Sequence, residues 1–295
     1  MKKYFSFNKA IILIVWMLVS LSSIAQTYYI SNDGNDGNDG LTEATPWKTL
    51  AKASAAAERS SQGGFLQPGD KLLFKKDDTF VGQLILWCSG TKANPIEIGS
   101  YGTGELPILT GVGANIGNNN DGDAIEVIKM TNTSHILIND LWITNDRQVG
   151  LGWAGSGNTS YGILVKANKW GGVSKGLTFR NLKFTDIFGV DMLDWEGKFT
   201  RDYYNAKGIF FDSNADEDTV EVGIDDVLIE DCYFFNLGST GISARHLGSY
   251  NNPVSDDERN LNYVIRNNTF KQLGGDGVVF ASVNNGLVEN NEFID

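Results

Sequence analysis

The sequence predicts an all-β protein: a right-handed parallel β-helix, a solenoid of stacked coils, with a short N-terminal capping helix. Three observations carry this. Val264–Phe270 returns as Leu287–Phe293, 23 residues later, and the same unit stands upstream at Leu137–Ile143, Thr178–Phe184 and Leu228–Phe234. Aligned, the copies give a polar column (Asp140, Asn181, Asp231, Asn267, Asn290) and, three residues on, an apolar one (Ile143, Phe184, Phe234, Phe270, Phe293). Asn/Asp side chains at turns beside a stacked apolar row are what parallel coils require. A second strand follows the unit and registers on glycine: Gly162–Ala167, Gly208–Ser213, Gly241–His246 and Gly277–Ser282. Alternation turns Ile163, Ile209, Ile242 and Val278 inward, with Val165, Phe211, Ala244 and Phe280.

The elements follow in order. Residues 1–25 read as a secretory signal peptide: Lys2, Lys3 and Lys9, an apolar run from Ala10 to Val19, then Ser23-Ile24-Ala25, with cleavage before Gln26. The run is short for a membrane span, and no cysteine marks a lipoprotein, so the chain is expected to be secreted, periplasmic or at the cell surface, with no stable membrane insertion after cleavage. Losing those lysines takes the net charge from −12 to −15. With no basic patch to offset that charge, nucleic acid is excluded as a partner. Residues 26–295 then form one β-helix domain.

Tyr28–Ser31 is a first strand, followed by the Asn/Asp-Gly repeats of Asn32–Gly40. These read as tight turns, or, more sharply, as oxygen ligands for calcium. Thr45 as N-cap and Pro46 at the first helical position predict a helix running to about Arg59, the plug for the first coil. The chain has 34 glycines and 5 prolines, which suits short strands and tight turns. Of the two cysteines, Cys88 and Cys232, the second occupies an apolar repeat position, so a buried free thiol is expected rather than a disulfide or a metal ligand. The last unit stops at Phe293-Ile294-Asp295 after the first strand of a coil. The expectation is a β-helix truncated at this end, with further coils and part of any groove beyond it.

Tyr28-Tyr29-Ile30-Ser31 with its Gly/Asp loop, Pro46-Trp47-Lys48-Thr49-Leu50, Pro68–Phe74 and Ser89–Ile98 resemble the N-terminal part of secreted right-handed parallel β-helix proteins of the pectate-lyase-like superfamily. The resemblance spans about residues 28–295. It implies the scaffold, and an extracellular polysaccharide as partner, since the group includes pectate, alginate and chondroitin lyases and several glycoside hydrolases. It does not imply one reaction, because members share the scaffold and differ in their sites. The paired-aspartate motifs of polygalacturonases are absent.

The site is therefore sought by aligning coils. Outward on the second strands fall Lys166, Asp212 and Arg245, a cation–anion–cation row stacked at about 4.8 Å per coil. As structure this is cross-strand charge pairing, about 0.2–1 kcal/mol; as function it is a substrate-facing row. The polar columns are spaced 41, 50, 36 and 23 residues apart, so the first coils carry insertions flanking the row. These hold Trp153, Trp170, Trp195, Tyr203 and Tyr250, aromatics suited to stacking on sugar rings. His246 is the outsized member of the column Ala167, Ser213, Ser282 and joins the catalytic candidates as an acid/base group. Asp212, Asp216 and Asp218 form a candidate calcium site. Asp191, Asp194 and Glu196 supply carboxylates for a hydrolase.

Three function classes follow. The favoured one is a lyase that removes the C5 proton of a uronate, with Lys166 or Arg245 as base and calcium neutralising the carboxylate. The others are a glycoside hydrolase using carboxylates among Asp191, Asp194, Glu196 and Asp212, and a non-catalytic glycan-binding or adhesive β-helix.

Overall fold

The computed structural model describes residues 25–115, 123–147, 159–189, 205–214, 222–247 and 260–295, and the backbone of 192–193 and 199–200. Three parallel sheets run the length of the solenoid. The long sheet has eight strands: Thr27–Ile30, Lys71–Lys75, Ile96–Tyr101, Ile136–Asn139, Val173–Arg180, Gly223–Glu230, Asn260–Arg266 and Val283–Glu289. A seven-stranded sheet stacks Thr79–Val81, Ile108–Thr110, Trp142–Asp146, Lys183–Phe188, Tyr233–Leu237, Thr269–Leu273 and Glu292–Ile294. A six-stranded sheet stacks Leu84–Leu86, Glu126–Thr131, Ser160–Asn168, Ala206–Asn214, Thr240–Leu247 and Val278–Phe280. The fold is a parallel β-helix, as the repeats predict.

Both columns hold. Asp140, Asn181, Asp231, Asn267 and Asn290 all have positive φ, between 49° and 56°, the left-handed turn conformation that Asn and Asp tolerate best among residues with a Cβ. The same conformation recurs at Asp186, Asn236 and Gln272 and at Asp226, Asn262 and Asn285, corners that the repeat alignment did not single out. Side-chain amides climb from coil to coil along these corners: Asn236 Nδ2 donates to Asp186 Oδ1 at 2.6 Å and Asn285 Nδ2 to Asn262 Oδ1 at 2.6 Å.

The apolar column becomes a stack of rings. Phe184, Phe234, Phe270 and Phe293 lie 4.7, 4.8 and 4.9 Å apart, nearly parallel. This explains the glycine register. A Cβ on Gly162, Gly208 or Gly241 would come within 2.9, 2.8 and 2.7 Å of the ring of Phe184, Phe234 and Phe270 respectively, so only glycine lets these three strands of the six-stranded sheet pass against the stack. Cys232 lies inside, its amide accepted by Asn268 Oδ1 at 2.9 Å, and burial pushes its thiol up to about 12. Both cysteines are buried and free, the state expected of Cys232.

The cap differs from the sequence reading in extent. The helix is Leu50–Ala56, with Thr49 as N-cap accepting from Lys52 N at 3.1 Å. It cannot start at Pro46 because Trp47 is held extended against the first strand: Trp47 N donates to Tyr29 O and Ser31 N to Trp47 O. Asp36 accepts from Lys48 N, Thr49 N and Thr49 Oγ1. The Asn/Asp-Gly loop thus spends this carboxylate on the helix start, and Asp39 likewise accepts from Leu41 N and Thr45 Oγ1.

The leader reading falls on residues outside the described ones. Among the described residues, no helix is long and apolar enough to cross a membrane.

Candidate functional site

The outward row forms as the alternation predicts. Lys166 is the register partner of Asp212, and Asp212 of Arg245, while Ile163, Ile209 and Ile242 face inward and are fully buried. Arg245 Nε donates to Asp212 Oδ1 at 2.7 Å. The hydrogen bond to Asp212 raises the Arg245 pKa further, against a partial desolvation that lowers it. Arg245 is therefore a fixed cation. Lys166 makes no ion pair among the described residues, although it stands one coil from Asp212.

A second ladder on the long sheet shows what a saturated row looks like. Arg180, Glu230 and Arg266 are register partners in successive coils, and both arginines reach Glu230 at 2.6 Å. Burial alone would raise the Glu230 carboxyl, but the hydrogen bonds from Arg266 and Arg180 hold it below the usual carboxylate range. That ladder spends two cations on one buried anion. The row on the six-stranded sheet does not.

Beside the row, the structure adds aromatics that the sequence reading missed. Phe210 lies between the inward Ile209 and Phe211, so it points outward, yet it is only 5 % exposed. The Arg245 guanidinium lies 5.0 Å over its ring, Lys207 Nζ 4.8 Å from it, and the Tyr161 ring 5.2 Å away. Burial, with the nearby Asp212 and Glu126 charges, pushes the Tyr161 phenol up to about 12 against the opposing pull of Arg245, so it keeps its proton at neutral pH and can donate it. A bulky aromatic at an outward strand position, directly between two inward ones, was the signal in the sequence.

His246 is not brought to this face. Next to Arg245 in the strand, it alternates inward, is buried, and places Nδ1 2.7 Å from Ser213 Oγ, which donates to Asn260 Oδ1 at 2.8 Å. Asn260 Oδ1 also accepts Ile224 N, tying the six-stranded sheet to the long one. Of the predicted stacking aromatics, Trp170 is 79 % exposed on the turn after Ser160–Asn168, with Lys169 Nζ 5.3 Å from its ring. Trp153, Trp195, Tyr203 and Tyr250 lie outside the described residues, as do Asp191, Asp194 and Glu196.

The calcium candidates divide the same way. Asp216 and Asp218 lie outside the described residues, and Asp212 already accepts from Arg245. Among the described residues no three His, Cys, Asp or Glu side chains gather as a metal site would need. A cation at Asp212 would have to share the carboxylate with the Arg245 guanidinium.

Neither a family model nor a curated protein sequence matches the chain. Solved structures do. A GH136 lacto-N-biosidase from Eubacterium ramulus is similar at 24 % identity and a TM-score of 0.65, over 86 % of this chain and 43 % of that one. An alginate lyase from Paenibacillus sp. is similar at 17 % identity and a TM-score of 0.53, over 83 % of this chain and 64 % of that one. The chain thus spans less than half the length of the lacto-N-biosidase chain. At these identities the likeness is one of fold: this chain is a parallel β-helix.

Proposed function

We propose that the outward face of the six-stranded sheet binds and cleaves an extracellular polysaccharide, by β-elimination at a uronate residue. The observation that carries this is the unsaturated row: Lys166 stands one coil from an Asp212–Arg245 pair, and Phe210, with Tyr161 against it, packs under the Arg245 guanidinium. The two structural neighbours, a lacto-N-biosidase and an alginate lyase by name, support a carbohydrate as the substrate class.

The geometry divides the roles. Arg245, locked in its charged form by Asp212, neutralises the uronate carboxylate, which makes the C5 proton more acidic. That locked charge removes Arg245 as the base and leaves Lys166, which must give up its own proton before it takes the one from C5. The electron pair released at C5 forms the C4–C5 double bond as the C4–O bond breaks. Tyr161, still protonated, donates to the departing oxygen. Phe210 gives Arg245 an apolar floor, which strengthens its field on the substrate.

The second reading is hydrolysis, with Asp212 and a carboxylate among Asp191, Asp194 and Glu196; the lacto-N-biosidase likeness favours it, and the pairing of Asp212 with Arg245 weighs against it. A hard cation held by Asp212, Asp216 and Asp218 is a further element of the proposal, open to a melting experiment. The test of the site is substitution. Lys166→Ala and Arg245→Ala are expected to abolish turnover of a polyuronate while shifting stability by less than about 1 kcal/mol, the scale of an exposed ion pair. Activity lost only in proportion to folded protein lost would return the row to a structural role.

A further inference from the structure

The strip continues beyond Lys166 toward the cap. Thr131 is the register partner of Lys166. Leu86 pairs with Met130, so Trp87, the next residue, stands at the step of Thr131. Trp87, Lys166, Asp212 and Arg245 therefore follow one another along a single line, with the buried Thr131 at the step between Trp87 and Lys166, and the line spans about 19 Å at roughly 4.8 Å per coil. That is long enough for several sugar units.

At the far end of this line lies a cleft of about 380 Å³ between the end of the cap helix and the first coil, lined among others by Glu58, Arg59, Ser60, Gln67, Trp87 and Ser89. The Arg59 guanidinium lies 4.0 Å over the Trp87 ring. Trp87 is itself anchored, its amide donating to Ala57 O at 2.9 Å. Arg59 is exposed and makes no ion pair among the described residues; Glu58, in the same cleft, accepts the Arg59 backbone amide. A guanidinium held flat on an indole is oriented in advance and loses less freedom on meeting a carboxylate.

We propose that this cleft is a distal subsite for a uronate unit of the same polysaccharide. Arg59 binds the carboxylate, Trp87 packs against the sugar ring, and Ser60, Gln67 and Ser89 supply hydrogen-bonding groups for its hydroxyls. The proposal rests on the reading of the strip as a polysaccharide site, and it makes affinity depend on chain length. Only an oligosaccharide that reaches from Arg245 to Trp87 gains the extra contact.

The test is calorimetric titration of the protein with trimers and octamers of galacturonate and of mannuronate. The expected result is tighter binding of the octamer of whichever uronate binds. Trp87→Ala and, separately, Arg59→Ala should each weaken that octamer by roughly three- to tenfold, the scale of one aromatic contact, and leave the trimer unchanged. Arg59 is exposed, so its replacement keeps the test valid should Trp87→Ala fold poorly. Octamer binding that is equal in the wild type and both variants overturns the subsite and leaves the strip standing. No binding of any oligouronate by the wild type overturns both.

Discussion

Replacing Phe234 by Ala tests the stack on which the candidate strip is built. Phe234 is fully buried and lies between two parallel rings, 4.7 Å from Phe184 and 4.8 Å from Phe270. Truncating a buried Phe costs ~3–5 kcal/mol, and each ring pair lost carries ~0.5–1.5 kcal/mol beyond the buried area, so the upper end, about 5 kcal/mol, is expected. Phe293 sits in the same column but is 58 % exposed and stacks only on Phe270 among the described rings, so Phe293→Ala should cost about 1 kcal/mol, one ring pair. The assay is urea unfolding followed by circular dichroism, comparing variants only where the slope is unchanged. Because Gly208 packs its strand against the Phe234 ring, the residual folded Phe234→Ala protein should also lose turnover. A cost below about 2 kcal/mol for Phe234→Ala, or equal costs at both positions, would refute the reasoning that the stack carries the fold.

Other outcomes follow from the same geometry. His246→Ala should remove one of the buried hydrogen bonds of Ser213, whose hydroxyl still donates to Asn260 Oδ1, and cost about 1–3 kcal/mol, with turnover per folded molecule retained; turnover lost at full stability would move His246 into the site. Glu230 has a folded pKa held below its unfolded value of about 4.3, so its contribution is present above that pH and is lost as pH falls through the folded value. Melting temperature should therefore drop more steeply on acidification in the wild type than in Glu230→Gln, and parallel curves would remove Glu230 from the acid response. If Asp212, Asp216 and Asp218 bind calcium, adding it at a hundredfold excess over its dissociation constant should stabilise chelator-treated protein by about 2.7 kcal/mol; superimposed melts would remove the metal.

Much of the fold was legible because each column answers to one local constraint. Asn or Asp at a left-handed corner, Phe at the next stacked position and Gly where a strand meets the ring are single-residue requirements, and they recur through the coils from Asn181 to Asn290. The cap was harder to read. Thr45-Pro46 carries a good helix-start signal, but pairing of Trp47 with the first strand and capping by Asp36 and Thr49 override it, and both depend on residues distant in sequence. The charged row was legible from alternation alone. Its setting was not: Tyr161 and Phe210 meet only because two coils 46 residues apart place them side by side. Arg59 and Trp87 belong to the cap and the first coil, and no repeat aligns them. His246 shows the opposite limit, since an unusual residue in a small column suggested chemistry, whereas alternation turns it into a buried hydrogen-bond network.

The central claim, elimination on the strip around Lys166 and Arg245, is tested most directly by following one reaction of the wild-type protein on polyuronates with two readouts. These are the ultraviolet absorbance of the unsaturated uronate product and the count of new reducing ends. The account predicts that the two rise together, one double bond for each chain break, and that both vanish in Lys166→Ala and Arg245→Ala. New reducing ends without absorbance, or cleavage unchanged in both variants, would contradict it.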